Sequence, residues 1–325
     1  MKGKAIFMSM MKPPVFKAVE TTYDLISTEC VVTHSVDKMG VRATMREDLY
    51  ESLKDTINIL QHLINGIKIS EEDTVYNHYR YKCSKLYFDE HGVQTARLDI
   101  KVLKNHPDAE NCLYIEVNPN KSFHDERCLH DLETLLSMSE LYCIEKLDIA
   151  IDIPISKAFV HLIKDKRAKL DYHASKDSKT EYLGKVRTNV GHVKLYDKRK
   201  ECGLAYDLTR LEITVGNPLS EHWSQDVRER LPKVTILVPE GQGTNLSADL
   251  NDTERVLIEL LRANPDKVDF WNQLGYKMKR KIEPYVFAND LGFAYDMEAI
   301  EEVASNAVKA VKFNGAYYMN QYIHP

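Results

Sequence analysis

Two short runs, YIEVNP (Tyr114–Pro119) and RLEITVGNP (Arg210–Pro218), occupy matching places in two stretches that repeat one order of elements. The first stretch opens with a strand at Gly40–Met45. Next comes a helix, in which Thr44 and Glu47 have capping-box spacing, Leu49, Leu53, Ile57, Leu60 and Ile64 form one stripe, and Gly66 is a stop. Strands near 76–88, 95–103 and 112–118 follow, then a helix near 124–139 with Leu129, Leu132, Leu135 and Leu136. The second stretch reads strand 145–153, helix 155–168, strands near 180–187, 190–198 and 208–215, and a helix near 219–231. Both are β-α-β-β-β-α. Two such units, about 38–139 and 145–231, predict an α+β fold in which one large, mainly antiparallel sheet is backed by helices.

Both units are expected to belong to one domain over 1–240. Gly241, Gly243, Asn245 and Ser247 form a polar linker to a helical C-terminal unit, 248–325. There Asn251, Asp252 and Thr253 offer an N-cap before Val256, Leu257, Leu260 and Leu261, Pro265 breaks the helix, and further helices are expected near 266–283 and 296–312. The cations Lys277, Lys279, Arg280 and Lys281 suit either a helix C-terminus or a DNA backbone.

A hydrophobic content of 43% is ample for a core, while no apolar run approaches the length of a membrane span. Met1 to Lys12 lacks the apolar core of a signal peptide, so a cytoplasmic protein that does not engage membranes is expected. Six cysteines without metal-ligand spacing read as reduced, mostly buried thiols. The formal charge of -5 argues against indiscriminate nucleic-acid binding, yet Lys164 to Lys200 holds twelve Lys/Arg against five Asp/Glu, a local +7. Such a stretch is either a solvated face or a surface for phosphates, with Lys185, Arg187 and Lys194 as the candidate contacts.

Side chains alternate across a strand, so parity tells which polar residues share a face. In LDIAIDIP, Leu147, Ile149, Ile151 and Ile153 point one way, and Asp148, Ala150 and Asp152 the other. In GHVKLYDK, His192, Lys194, Tyr196 and Lys198 oppose Val193 and Leu195; in TRLEITV, Arg210, Glu212 and Thr214 oppose Leu211, Ile213 and Val215. Two aspartates, a glutamate, a tyrosine and several cations therefore share one face. It is either a solvated surface with cross-strand ion pairs or a functional one. Converging carboxylates suit Mg²⁺ or Mn²⁺, and a metal-polarised phosphate with a lysine beside the phenol would let a tyrosine of ordinary pKa about 10 act as nucleophile.

The run EYLGKVRTNVGHVKLYDKRKE, preceded by KLDIAIDIP and followed by LTRLEITV, resembles the Rep-trans type of rolling-circle replication initiators of Gram-positive plasmids and the related relaxases of integrative conjugative elements. The resemblance covers Lys146 to Val215. It implies site-specific nicking of one DNA strand at an origin by the tyrosine of the Tyr-Asp-Lys motif, here Tyr196, with Lys198 and Arg210 as further catalytic candidates. It also implies a divalent cation held by Asp148 and Glu212, with Asp152 a third candidate, and, by family behaviour, dimers and a partner helicase. The chain has no His-hydrophobe-His triplet, which fits this type. Replication initiation is favoured over conjugative relaxation, and a non-catalytic DNA-binding protein on the same sheet is the rival. Tyr182 is a rival nucleophile but is expected rather to pack on the sheet or stack on DNA, His192 to make a surface hydrogen bond or serve as a ligand, and Glu116, counterpart of Glu212, to be structural.

Overall fold

The computed structural model describes residues 18–25, 28–45, 67–70, 79–103, 112–163, 165–169, 172–174, 180–184, 191–216, 218, 221–236, 246, 248–263, 268–286 and 293–311. The protein is mixed α+β. Eleven strands form one antiparallel sheet: β1 (Val19–Leu25), β2 (Thr28–Met45), β3 (Ile67–Ser70), β4 (Tyr79–Phe88), β5 (Gln94–Leu103), β6 (Cys112–Val117), β7 (Ser139–Ile153), β9 (Tyr172–Ala174), β10 (Glu181–Leu183), β11 (Val193–Asp197) and β12 (Thr209–Gly216). A separate pair is made by β8 (Val160–Leu162) and β13 (Val234–Ile236).

The order across the main sheet is β3-β4-β5-β6-β2-β7-β12-β11-β10-β9, with β1 added to β2. Outward from the central β2–β7 pair, each half therefore runs through its own strands in the same sequence, which is the layout a tandem duplication produces. The first expected helix falls on residues 46–66 and lies outside the described residues.

One expected element is corrected. The stretch 155–168 is not a helix: it holds a turn closed by Phe159 N donating to Ser156 O (2.9 Å), strand β8, and a 3-10 turn at Lys166–Lys169. Val160 and Leu162 are buried against Val234 and Ile236, so β-branched residues in register with a partner strand outweigh the helical spacing.

The core lies on the face that carries Leu147, Ile149, Ile151, Val193, Leu195, Leu211, Ile213 and Val215, each at most 1% exposed. Short α1 (Pro119–Ser122) leads into α2 (Glu126–Ser137), whose Leu129, Leu132, Leu135 and Leu136 cover the first half. Asp125 caps α2 by accepting from Arg127 N and Cys128 N. Five-residue α3 (Lys198–Cys202) follows β11 directly, and α4 (Trp223–Arg230) buries Trp223 and Val227 under the second half.

After the linker, α5 (Asp252–Ala263) starts from a reciprocal cap in which Glu254 N donates to Asn251 Oδ1 and Asn251 N to Glu254 Oε2, both 2.9 Å. The helix expected over 266–283 is two, α6 (Val268–Gln273) and α7 (Tyr276–Val286), broken at Leu274 and Gly275. Leu250, Ile258, Leu261, Trp271, Ile282 and Val286 form a small core of their own. The last helix, α8 (Met297–Val311), behaves differently: Ile300, Val303, Ala304, Ala307 and Val311 join the main core, packing on β1, β2 and β7. Among the described residues no helix is long and apolar enough to cross a membrane. Of the described cysteines, Cys112 and Cys128 are buried, Cys30 and Cys143 half-buried, and Cys202 exposed, so burial is less general than expected; none is in a disulfide.

Candidate active site

The face opposite the core in the second half gathers the polar residues that parity assigned to it. Register places Tyr196 opposite Arg210 and Arg210 opposite Asp152; one pleat along, Lys194 is opposite Glu212 and Glu212 opposite Ala150. Asp148 lies opposite Thr214 on one side and Lys38 of β2 on the other.

Tyr196 is the centre of this lattice. Its hydroxyl donates to Glu212 Oε1 at 2.6 Å, and Lys198 Nζ lies 3.4 Å from the phenol oxygen. Lys194 Nζ sits over the ring, 3.7 Å from its centroid. The side chain is only 4% exposed, and these two lysines contribute to that cover. Burial, then the charge and hydrogen bond of Glu212, holds the phenol well above its ordinary value of 10, so the resting group is protonated. Burial also raises Glu212, against the lowering pull of Lys194 and of the tyrosine hydrogen bond. A protonated phenol hydrogen-bonded to a carboxylate of raised basicity is a pairing in which the carboxylate can accept the phenol's proton.

The local sequence explains the position of Lys198. Asp197 ends β11 and caps α3, its side chain accepting from Lys200 N, while Gly203 at φ 64 closes α3 in the left-handed conformation. This tight reversal brings Lys198 back over the tyrosine, where Glu201 Oε2 accepts from its Nζ at 2.5 Å. Lys198, expected on a strand, is thus the first residue of a helix. Burial opposes its charge, but Glu201 keeps it above the usual lysine value.

Arg210 is buried and fully engaged. Nε and Nη2 each donate to Asp152 at 2.6 Å, and Nη1 donates to Asp37 at 2.8 Å. Burial again works against the charge, and the two aspartates more than offset it, raising the guanidinium above its ordinary range. Both Asp152 oxygens are committed to this fork, which makes Asp152 a poor metal ligand. Asp148 differs: its buried Oδ1 has no hydrogen-bond partner among the described residues, and such an oxygen suits a hard cation. Among the described residues no three His, Cys, Asp or Glu side chains are grouped as a metal site, so Asp148, Glu212 and Asp152 are not brought together as one ligand set.

Two site residues escaped the sequence reading, Asp37 and Lys38. A register shift between Val36 and Lys38 leaves Asp37 as the extra residue of a bulge, where it reaches Arg210. Burial lowers Lys38, but the charges of Glu116, Asp148, Glu212 and Asp37 together hold it above its usual value. The signal was Asp-Lys just before Gly40, in a strand that was read as starting only at Gly40.

Glu116 is held by Lys101 and Lys146, in agreement with a structural role. Tyr182 is half-buried and stacks on His192, with centroids 5.8 Å apart and planes at 22°. Lys185 and Arg187 lie outside the described residues. On α7, Arg280 is exposed, Lys279 half-buried, and Lys281 pairs with Glu254 at 2.8 Å. Comparison of the chain with protein-family models and with curated proteins returned no match.

Proposed function

We propose that the chain is a DNA strand transferase that nicks one strand at an origin through Tyr196 and initiates rolling-circle replication in the cytoplasm. The observation that carries the reading is the 2.6 Å hydrogen bond from the Tyr196 hydroxyl to Glu212, on the polar face of the sheet with Lys194, Lys198 and Arg210 around it. Lysines cover the phenol, and long ammonium side chains move easily. An incoming phosphate competes with Glu201 and Glu212 for them and thereby opens the site.

In the step proposed, the Tyr196 oxygen bonds to phosphorus as its proton passes to Glu212. The bond from phosphorus to the 3′-oxygen breaks, and that oxygen leaves as a free hydroxyl with a proton from solvent. Lys198 and Lys194 compensate charge on the phenol and the phosphate, and Arg210 keeps Glu212 and Tyr196 in register while Asp152 and Asp37 fix its own fork. Asp148 and the second oxygen of Glu212 would hold a divalent cation, which would neutralise phosphate charge when bound. The α5–α7 unit, with Lys277, Lys279 and Arg280 on α7, would dock on duplex beside the nick.

The test is incubation with supercoiled DNA carrying the encoding element's inverted repeats, with Mg²⁺ or Mn²⁺. Nicked circles with covalently attached protein are expected, and mass spectrometry should place the nucleotide on Tyr196. Tyr196→Phe should bind the same DNA without forming the adduct. An adduct on Tyr182, or binding without nicking by the wild type, overturns the assignment, and full activity in excess chelator overturns the metal.

A further inference from the structure

On the same face, one strand further out than the nucleophile, lies an aromatic pair to which the nicking step gives no role. Tyr182 is the middle residue of β10; its neighbours Glu181 and Leu183 point into the protein and are 4% and 0% exposed, while Tyr182 itself is half-buried. Its ring lies nearly parallel to that of His192, in the offset arrangement aromatic rings prefer. Register puts Tyr182 opposite Lys194, and the Lys194 ammonium is the group seated on the Tyr196 ring. Tyr182, Lys194 and Tyr196 thus form a diagonal across two adjacent strands. Diagonal neighbours on one sheet face lie about 7–8 Å apart, the reach from a phosphate to the base of its own nucleotide.

We infer that Tyr182, braced by His192, is the stacking platform for a nucleobase flanking the scissile phosphate. The inference rests on the nicking reading and adds to it a positioning residue and a ligand class, an unstacked base of single-stranded DNA. Three features on the page point to a base. The ring is flat and partly open, the adjacent cation suits a phosphate, and the row leads to the nucleophile. Every base has a π-face, so such a platform holds the strand without selecting its sequence. By fixing the base it would fix the phosphate against Tyr196, which is the orientation an in-line attack needs.

The test uses the full chain in the Tyr196→Phe background, which cannot cleave, and single-stranded oligonucleotides with 2-aminopurine on either side of the nick position. Binding should quench the fluorescence at one of the two positions. Tyr182→Leu, which stays apolar but has no π-face, should abolish that quench and weaken oligonucleotide binding roughly ten- to hundredfold, while Tyr182→Phe restores both. An unchanged quench in a folded Tyr182→Leu protein overturns the platform. So does a Tyr182→Trp protein whose indole emission does not respond to the oligonucleotide, a measurement that stands even where Tyr182→Leu fails to fold. Failure of the wild-type chain to form a Tyr196 adduct overturns the nicking reading separately, and an adduct with no quench at either position overturns the platform alone.

Discussion

The two halves of the sheet put the same lattice to different uses. Glu116 pairs with Gly40 as Glu212 pairs with Ala150, and Lys101 pairs with Tyr114 as Tyr196 pairs with Arg210. Lys101 thus stands at the position of Tyr196 and Tyr114 at that of the buried Arg210. Where Tyr196 donates to Glu212, the Lys101 ammonium donates to Glu116, with Lys146 Nζ 3.4 Å away on the other oxygen. Burial would raise Glu116, but Lys101, Lys38 and Lys146 prevail and depress it, whereas Glu212 stays raised. A carboxylate saturated by ammonium groups is a weak base, and one facing a phenol remains a usable one. The Tyr114 ring then lies across Gly40, where a Cβ would collide with its hydroxyl, and the first half is closed over as packing. The same frame occurs twice, and two exchanges, Tyr196 for Lys101 and Arg210 for Tyr114, separate a carboxylate that faces a phenol from one locked by ammonium groups.

The largest contrast expected is between the paired glutamates. Glu212→Gln should lower the rate of adduct formation by roughly 10²–10⁴, the usual contribution of a positioned base, with the fold intact by circular dichroism. Glu116→Gln should leave the adduct rate nearly unchanged and lower the melting temperature instead, since Lys101 and Lys146, each little exposed, lose their partner. Equal rates in both variants would erase the distinction between the halves.

Arginine pairs give the next contrast. Asp152→Ala strands most of a buried guanidinium fork and should cost about 3–5 kcal/mol in denaturant unfolding. In the first half, Arg42 and Asp152 occupy equivalent positions, and Arg42 reaches Glu145 at 2.7 Å near the surface. Arg42→Ala should cost about 0–1 kcal/mol. Similar losses would mean that the polar face is evenly tense.

The smallest effect concerns acid. Burial opposes ionisation of Glu181, yet His161 and Lys157 hold its carboxyl at about 2, and Leu162 N donates to it as well. Its folded value lies below the unfolded one of 4.5, so the stabilisation is present above about pH 4.5 and disappears as pH falls towards 2. Unfolding free energy should drop by about 3 kcal/mol over that window, and Glu181→Gln should flatten the fall. A wild-type slope identical to that of the variant would remove this network as the fastener of the second half.

Much of this was legible from strand alternation. The parity of Leu147–Ile153, Val193–Tyr196 and Arg210–Val215 assigned the right residues to the polar face, because each strand keeps strict period two and one side is buried. Asp37 and Lys38 were lost because a bulge breaks that period. The spacing in 155–168 looked helical since local periodicity carries no information about Val234–Ile236, the strand that claims Val160–Leu162. Asp152 stands in the sequence as a third ligand candidate because a carboxylate's charge is visible there, whereas the guanidinium that engages both its oxygens is set by register. A helix near 296–312 was expected but not its seat on β2 and β7, as an apolar face specifies only that it be covered.

That seat sets a schedule. A chain emerging from the ribosome completes Tyr196, Glu212 and every strand of the sheet well before it completes α8. Until then the core side of β2 and β7 lacks Ile300, Val303, Ala307 and Val311, and the carbonyl of Val311 is not there to receive the Tyr142 hydroxyl. Nascent chains at that stage carry all the chemical groups of the site on a sheet whose greasy underside is open to chaperones and proteases. Translation that stops short of α8 therefore leaves the polar face assembled over an uncovered core, and the sheet is sealed only when that helix docks.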